Sequence, residues 1–583
     1  MRGIVLLTFA LLLVGCEEKG PAPIPIDRPL VSDPALKGEE VLQKVTDLPI
    51  WSYRNVNGNL PNIILIDGKE GLIIIDTGLS LNDSKKVVDD IKSKFDKPVK
   101  ALIYTHHHID HTGGAASFLE IADPNMAIIG SEHLNEEMQD ENNVVGRIMG
   151  MRAYYMYGMS LYDEEETKAY RIGLSGKVQS GKTGFLPTTR VITKESKVEL
   201  AGENFILFPT GGEAGSHIAV YMEDHGVIFS GDEMQGPSFP NLHSLRGTKP
   251  RDANKWITAL DRIRAFEPKI MVPSHGNIVE GADEIETVIR TYRDAIQWTH
   301  DQAIRLINKG YTQEELAEAL PALPESLQLY PYTKEFYGTV KHSVRNYFTG
   351  YISWFDGDPA TLNPTPRVER SRRYVKMMGG REAILAAALA AKDTNDPQWV
   401  AELTTHLIRI DHDDIDARRL KAWSFRVMAR QTINTNWQGF YLTGALELEN
   451  KVDSIAFQKH LQSMFSPKFI DSIRLLNLLR YNVDGEKAEG KDIKIQFRFP
   501  DRNETFTLHL RNQILDIRSG EDSSATASLI MNRSLFDQIL SGEKEFLGEM
   551  ISGDIDLEGS RLDALSLLSS LDTEPTEINL VIR

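Results

Sequence analysis

Thr105-His106-His107-His108-Ile109-Asp110-His111-Thr112-Gly113-Gly114 follows directly on a β-rich apolar run, Val99 to Tyr104. Four metal-binding groups, the imidazoles of His106, His108 and His111 and the carboxylate of Asp110, fall within six residues. Imidazole nitrogen and carboxylate oxygen suit Zn²⁺ or a similar borderline divalent ion. Side chains alternate along an extended segment, so His106 and His108 point one way and His107 the other. Asp110 and His111 lie just beyond, where the chain must turn, and Gly113-Gly114 leave the backbone free to do so. One extended tip therefore aims two ligands at one ion and two at a second.

Outward from that run, apolar strands alternate with helical stretches from about Leu48 to Gly281. Asn62 to Ile66 and Leu72 to Asp76 flank Asp67-Gly68-Lys69-Glu70-Gly71, which reads as a hairpin. Later strands, Phe205 to Phe208, Val227 to Ser230 and Ile270 to Val272, each end in a polar cluster that carries Glu213, Asp232 or His275. Buried strands that deliver polar residues from their ends are how layered α/β enzymes build sites. Taken singly, each of these three residues reads more readily as a solvated strand end than as a ligand. From about Asp283 to Asn450 the pattern turns helical: Ile285, Val288, Ile289, Tyr292 and Ile296 follow a 3–4 spacing, and Arg381 to Lys392 is rich in alanine and leucine. After about Lys451 two helical stretches precede strands in which Ile493, Ile495, Phe497 and Phe499 share one face. Phe506, Leu508 and Leu510 share another after the turn Pro500-Asp501-Arg502-Asn503.

The N-terminal segment bears on location. Met1-Arg2, the apolar stretch Ile4 to Val14 and Gly15-Cys16 read as a secretory signal too short to span a bilayer. Leu13-Val14-Gly15-Cys16 resembles a bacterial lipoprotein box, and Cys16 is the only cysteine of the chain. The expectation is a lipid anchor on Cys16, with Glu17-Glu18 favouring the outer membrane, on the periplasmic side of a bacterial cell. A single cysteine also excludes an intrachain disulfide framework and a cysteine-based metal site. No other stretch is apolar enough for a membrane helix, so the membrane is met through that anchor alone. With 65 Lys+Arg against 83 Asp+Glu, a net charge of -18 argues against a nucleic-acid partner. The domains expected are a leader over 1–16, a tether over 17–45, an α/β domain over 46–282, a helical domain over 283–450 and a small α+β domain over 451–583.

The order of the ligand-bearing loops resembles that of the metallo-β-lactamase fold, with Asp76 of Ile-Ile-Asp-Thr-Gly near the metals. Glu213-Ala214-Gly215 in place of the usual histidine motif narrows the resemblance to the alkyl sulfatase branch. So do Arg152–Gly158, Thr183–Pro187, Leu242–Gly247, Arg251–Trp256, Trp298–Gln302, Tyr337–His342 and Trp354–Pro359. The resemblance implies a metallo-β-lactamase-like αββα catalytic domain, an all-α dimerisation domain that makes a homodimer, and a C-terminal α+β domain similar to sterol carrier proteins. It implies two Zn²⁺ per chain: His106, His108 and Glu213 on one, Asp110, His111 and His275 on the other, and Asp232 bridging or completing the shell. Three features depart from the family pattern. Asp232 stands where the family places glutamate, which brings its neighbour Glu233 into question; His217 stands where the third motif has a second glutamate; and the segment from Asp232 to His243 differs in length.

The activity implied is hydrolysis of a detergent-like alkyl sulfate ester by a hydroxide shared between the metals, whose pKa would fall towards about 7. His243 and Asp110 are the catalytic residues assigned, His243 beside the sulfate as oxygen ligand or proton donor. Arg246 and Tyr157 are assigned to the substrate. The planar guanidinium of Arg246 suits paired sulfate oxygens, and the Tyr154–Met159 run is either a groove for the alkyl tail or ordinary core. His107, His133, His225, His406, His412, His460 and His509 lie in no constellation and receive no chemistry. Two other readings compete: another hydrolase on this scaffold, cleaving a phosphodiester, lactone or β-lactam, and a lipid-binding lipoprotein with a vestigial metal site. Glu213 opposes the first, and a full set of competent ligands opposes the second.

Overall fold

Residues 20–26, 28–30, 33–36, 40–45, 47–55, 60–161, 167, 169–172, 178 and 181–583 are described by a computed structural model. The expected leader and Cys16 lie outside the described residues.

Long apolar runs with both faces buried, such as Gly71–Ile75 and Val227–Gly231, make the centres of two sheets. The first sheet takes its seven strands in chain order, from Val41–Lys44 at one edge to Arg190–Ile192 at the other. Its hairpin is tighter than the sequence suggests. Gly68 pairs with Gly71, so the turn shrinks to Lys69-Glu70. The second sheet runs Val279–Glu280, Ile270–Pro273, Val227–Gly231, Ile218–Met222, Glu203–Pro209 and Ser196–Leu200.

Period-two alternation then sorts the side chains into layers. Ile64, Ile66, Ile73, Ile75 and Ile103 of the first sheet pack against Leu207, Val220, Phe229 and Val272 of the second. On the outer face of the first sheet, Leu65, Ile74 and Leu102 meet Val87, Val88 and Ile91 of the helix Leu81–Lys94. On the outer face of the second, Ile206, Phe208, Ile228 and Met271 meet Trp256 and Leu260 of Ala253–Arg264, and Val288, Ile289 and Tyr292 of Ala282–Ile307. The result is the expected αββα sandwich. Val340, Val344 and Tyr347 of the helix Val340–Ile352 join the same core, so packing runs on unbroken across the boundary placed at 282/283.

Four helices, Arg381–Asp393, Pro397–Ile410, Ile415–Ala429 and Thr435–Leu448, follow as a separate all-α layer. Asp396, Asp414 and Asn434 cap the last three through side-chain oxygens. Thr435–Leu448 reaches the sandwich at Gly439, where an added Cβ would lie 2.3 Å from the carbonyl oxygen of Met156. That close approach fixes the helix Gly146–Met156, which leads into Tyr157.

The C-terminal unit is α+β. Its five-stranded sheet centres on Ile493–Phe499, flanked by Glu504–Arg511 and Ala527–Ile530. Ile493, Ile495 and Phe497 pair directly with Leu510, Leu508 and Phe506, so the two apolar sets share one sheet face and one core, not two. Asn503, at φ 52°, closes the expected turn in the left-handed region that asparagine tolerates. Among the described residues no helix is long and apolar enough to cross a membrane.

Candidate metal centre

All of the proposed ligands arrive at one edge of the sandwich, from loops that leave the strand ends. After Val99–Ile103 the chain bends and enters a one-turn helix, Ile109–Thr112. His106 and His108 converge before it, with His106 Nε2 2.8 Å from His108 Nδ1. Asp110 and His111 project from the helix itself, with His111 Nε2 3.3 Å from Asp110 Oδ2. The turn is thus helical and not a glycine-loosened loop. Gly113 and Gly114 have ordinary negative φ of -69° and -95°. They are small because Cβ atoms there would lie 2.1 Å from Leu79 O and 2.2 Å from Thr77 O.

The other strand ends complete two clusters. Glu213 Oε2 lies 3.6 Å from His106 Nε2 and 3.5 Å from His108 Nδ1. His275 Nε2 lies 3.7 Å from Asp110 Oδ2. Asp232 faces both: Oδ2 is 4.0 Å from His106 Nε2, while Oδ1 is 3.7 Å from His111 Nε2 and 3.2 Å from His275 Nε2. The shorter aspartate therefore reaches both groups. Glu233 lies in neither cluster: its Oε1 accepts from the amide of Gly212 at 3.0 Å, and burial pushes its carboxyl up to about 8.

Buried polar atoms are ordinarily satisfied, and those left over point to a missing partner. His111 Nε2, His275 Nε2, Glu213 Oε2 and Asp232 Oδ1 are buried with no hydrogen-bond partner, and all four turn inward. Burial pushes the Glu213 carboxyl up to about 7 in spite of the neighbouring Arg251, while burial and adjacent imidazoles hold His106 and His108 well down. Neighbouring carboxylates push His111 and His275 the other way, and imidazoles and carboxylates converging on a small buried space fit divalent cations.

A supporting set of bonds fixes which atom of each ligand faces inward. Asp76, at φ 57°, accepts at 2.8 Å from the Thr105 amide and from Ser274 Oγ, and lies 2.8 Å from His111 Nδ1. His275 Nδ1 is 3.1 Å from Leu60 O, and His106 Nδ1 is 3.0 Å from Thr105 Oγ1. His217 stacks on His106 at 5.1 Å, and its Nε2 accepts from the Asp232 amide at 3.0 Å, so it steadies a ligand. Gln235 Nε2 donates to Glu213 Oε1 at 3.1 Å, and Arg251 pairs with the same oxygen.

The clusters open into a polar cleft shared by Tyr157, Tyr337, Ser244, Arg246 and Arg251. Tyr157 and Tyr337 join through their hydroxyls at 2.8 Å. Arg152 Nε donates to the carbonyls of Leu245 at 3.0 Å and Arg246 at 3.2 Å, fixing the loop that presents Arg246. His243 is half-buried and is not among the residues that line the cleft, and its Nδ1 has no hydrogen-bond partner among the described residues. Burial, then Arg251 and Arg152, lower its pKa to about 4, which favours the neutral ring. His107 does turn away from its neighbours, as alternation requires, but not into bland packing. Its Nδ1 lies 2.8 Å from Ser216 Oγ and 3.2 Å from Glu137 Oε2, and its Nε2 is 3.2 Å from Glu141 Oε2. Sequence reasoning gave no role to Arg251, Gln235, Glu137 or Glu141. Arg251 and Tyr337 stand inside quoted motifs, which was the available signal.

Fold and site together define a hydrolase of the metallo-β-lactamase type. That superfamily matches residues 56–275, alkyl sulfatase dimerisation matches 312–451, and the alkyl sulfatase C-terminal family matches 466–583. A linear primary-alkylsulfatase of a Pseudomonas species is 37% identical over 529 residues, 89% of this chain and 100% of that one. An alkyl/aryl-sulfatase of Saccharomyces cerevisiae is 30% identical, across 91% and 82% of the two chains. The solved structure of a stereoselective inverting sec-alkylsulfatase from a Pseudomonas species superposes with a TM-score of 0.83 at 26% identity, over 93% and 86%. The chain belongs to the alkyl sulfatase family: it is an enzyme that hydrolyses sulfate esters and carries a metal site.

Proposed function

We propose that the substrates are linear alkyl sulfates of the dodecyl sulfate type, and that the metal is Zn²⁺, two ions per chain. One ion would be held by His106, His108 and Glu213 and the other by Asp110, His111 and His275, with Asp232 between them. The reading rests on one observation: Glu213, Asp232 and His275, each with a buried ligand atom that lacks a hydrogen-bond partner among the described residues, line the same cleft as Arg246. Bound there, such ions supply Lewis acidity and make water nucleophilic near neutral pH.

The chain's own residues do the rest. Arg246 binds sulfate oxygens through its planar fork, which suits a tetrahedral oxyanion. His243, three residues before Arg246 on the same loop, is assigned to bind a sulfate oxygen or to protonate the leaving group. Asp110 would hold the second ion with His111 and His275, and against burial those two imidazoles keep its carboxyl below the usual range, in the ionised form a metal ligand needs. Tyr157, hydrogen-bonded to Tyr337, walls the side of the cleft away from the metals. The products are the alcohol and hydrogen sulfate, the elements of one water being added across the ester.

The dimerisation match supports a homodimer. Cys16 in its lipoprotein-like box supports a lipid-anchored protein outside the inner membrane. A Cys16→Ser variant should then move from the membrane fraction to the soluble one. Zinc analysis of the purified protein, with free sulfate measured during incubation with dodecyl sulfate, tests the central reading. About two zinc per chain and sulfate release support it. Absence of turnover in zinc-loaded protein refutes it.

A further inference from the structure

Glu141 is a buried carboxylate on the helix Leu134–Val144, and it stands at the junction of the metal ligands and the headgroup arginine. Its Oε2 is 3.2 Å from His107 Nε2, while its Oε1 is 3.8 Å from His108 Nε2 and 3.5 Å from Arg246 Nη1. The other arginine of the cleft is already committed, since Arg251 pairs with Glu213 and donates to the carbonyl of Asn241. Among the described residues Arg246 is hydrogen-bonded only through Nη1, to Glu141 and to Gly247 O at 3.2 Å, which leaves Nε and Nη2 for a ligand.

A fixed negative charge next to an anion site is costly unless it does something. It weakens the attraction for every anion, and it weakens it twice as much for a dianion as for a monoanion, because Coulomb energy scales with the product of charges. A sulfate monoester carries one negative charge at any pH above strong acid. A phosphate monoester of the same shape has a second pKa near about 6 and carries close to two at pH 8. Burial makes the difference larger than it would be in water. A carboxylate is ionised at pH 8, and Glu141 has His107 Nε2 at 3.2 Å and the guanidinium of Arg246 at 3.5 Å beside it.

We infer that Glu141 is a specificity-determining residue: it half-neutralises Arg246 and so makes the cleft accept the singly charged sulfate ester and reject its doubly charged phosphate analogue. Specificity of this kind needs a repulsive element as well as an attractive one. Glu141 also positions Arg246, but positioning alone would affect both esters alike. The inference rests on Arg246 being the headgroup residue, and the test separates the two claims.

The test compares dodecyl sulfate with dodecyl phosphate at pH 8 in metal-loaded wild-type protein, Glu141→Gln and Glu137→Gln. Glu137 shares His107 but has no bond to Arg246. The Gln variant at 141 should lower the sulfate-over-phosphate ratio of kcat/KM by about tenfold, keep its metal content, and bind inorganic phosphate more tightly relative to sulfate by calorimetry. Glu137→Gln should leave the ratio in place. An unchanged ratio in a folded, metal-loaded Glu141→Gln, or an equal fall in Glu137→Gln, overturns the inference. Should the Gln variant not fold, the wild-type protein still decides: dodecyl sulfonate, with one charge, must compete with the substrate better than dodecyl phosphate, and the reverse order overturns it. Arg246→Ala is run alongside. If it leaves KM for dodecyl sulfate unchanged, the headgroup assignment fails; if it raises KM while Glu141→Gln changes no ratio, only the present inference fails.

Discussion

Asp76 shows how one residue can set the state of a site it does not enter. Its backbone lies at φ 57°, a region where asparagine and aspartate are tolerated better than most side chains. Its two oxygens collect donors from Thr105 and Ser274 and turn Nδ1 of His111 outward, which leaves Nε2 for the metal side. Asp76→Asn keeps the backbone and most of the shape but removes the charge and one acceptor. Metal affinity, read by chelator competition, should fall about 10- to 100-fold while the fold persists. Unchanged affinity would make the bond to His111 irrelevant. Arg246→Ala should lower kcat/KM for the sulfate ester by about 10- to 100-fold, as expected for losing a charge-assisted contact, with metal content intact. The ligands themselves were legible because histidines cluster in sequence and acids sit at strand ends, both local patterns. Glu141 and Gln235 were not, because their meaning lies in contacts to Arg246 and Glu213, 105 and 22 residues away. His243 stands out by motif alone, and it is not among the residues that line the cleft.

At the scale of elements, the one-turn helix Ile109–Thr112 is the least autonomous piece of the site. Four residues cannot hold a helix by their own hydrogen bonds, so its geometry is imposed by its surroundings. Gly113 and Gly114 allow the chain after it to pass against Leu79 O, Thr77 O and Ser84 Oγ. Gly114→Ala places a methyl inside that contact with a backbone carbonyl, which cannot rotate away. The expected cost is about 1–3 kcal/mol of stability from overpacking, with reduced metal occupancy because Asp110 and His111 move with the helix. Gly146→Ala, whose new Cβ meets nothing within 4 Å, is the matched control and should be neutral or stabilising by up to about 1 kcal/mol. Equal metal loss in both variants would dissociate the helix from the glycine contact. The main strands and helices could be read from apolar runs and 3–4 spacing, since burial on one or both faces writes itself into the sequence. The edge strands Val41–Lys44 and Arg190–Ile192 could not, being short and largely exposed, and the helical turn at 109–112 has no period to detect.

Across the whole molecule, the end of the chain returns to where catalysis is supported. The C-terminal sheet is complete by Gly559, yet residues 576–582 run back to the helical layer. There Glu447, buried on Thr435–Leu448, accepts from the amides of Leu580 at 3.0 Å, Val581 at 2.9 Å and Ile582 at 2.7 Å. The same carboxylate takes the hydroxyl of Tyr155, on the helix that leads into Tyr157 and carries Arg152 beneath the Arg246 loop. One side chain thus ties the C-terminal tail, the helical layer and the floor of the cleft. Val581 and Ile582 add apolar contact within the helical core, but among the described residues their amides donate only to Glu447. Glu447→Ala removes the acceptor for all four donors and leaves them in a partly dry site, where each unsatisfied group costs about 1–3 kcal/mol unless it relaxes into water. Relaxation is easiest for the tail, so the tail should release first. Carboxypeptidase should then trim residues after about 576 in the variant and not in the wild type. The melting temperature should fall, and KM should rise more than kcat falls, because Tyr155 and Arg152 position the binding wall and not the metals. A tail that stays protected in Glu447→Ala, with KM unmoved, would show that the apolar contacts of Val581 and Ile582 suffice to hold it and that the cleft is independent of the chain's end.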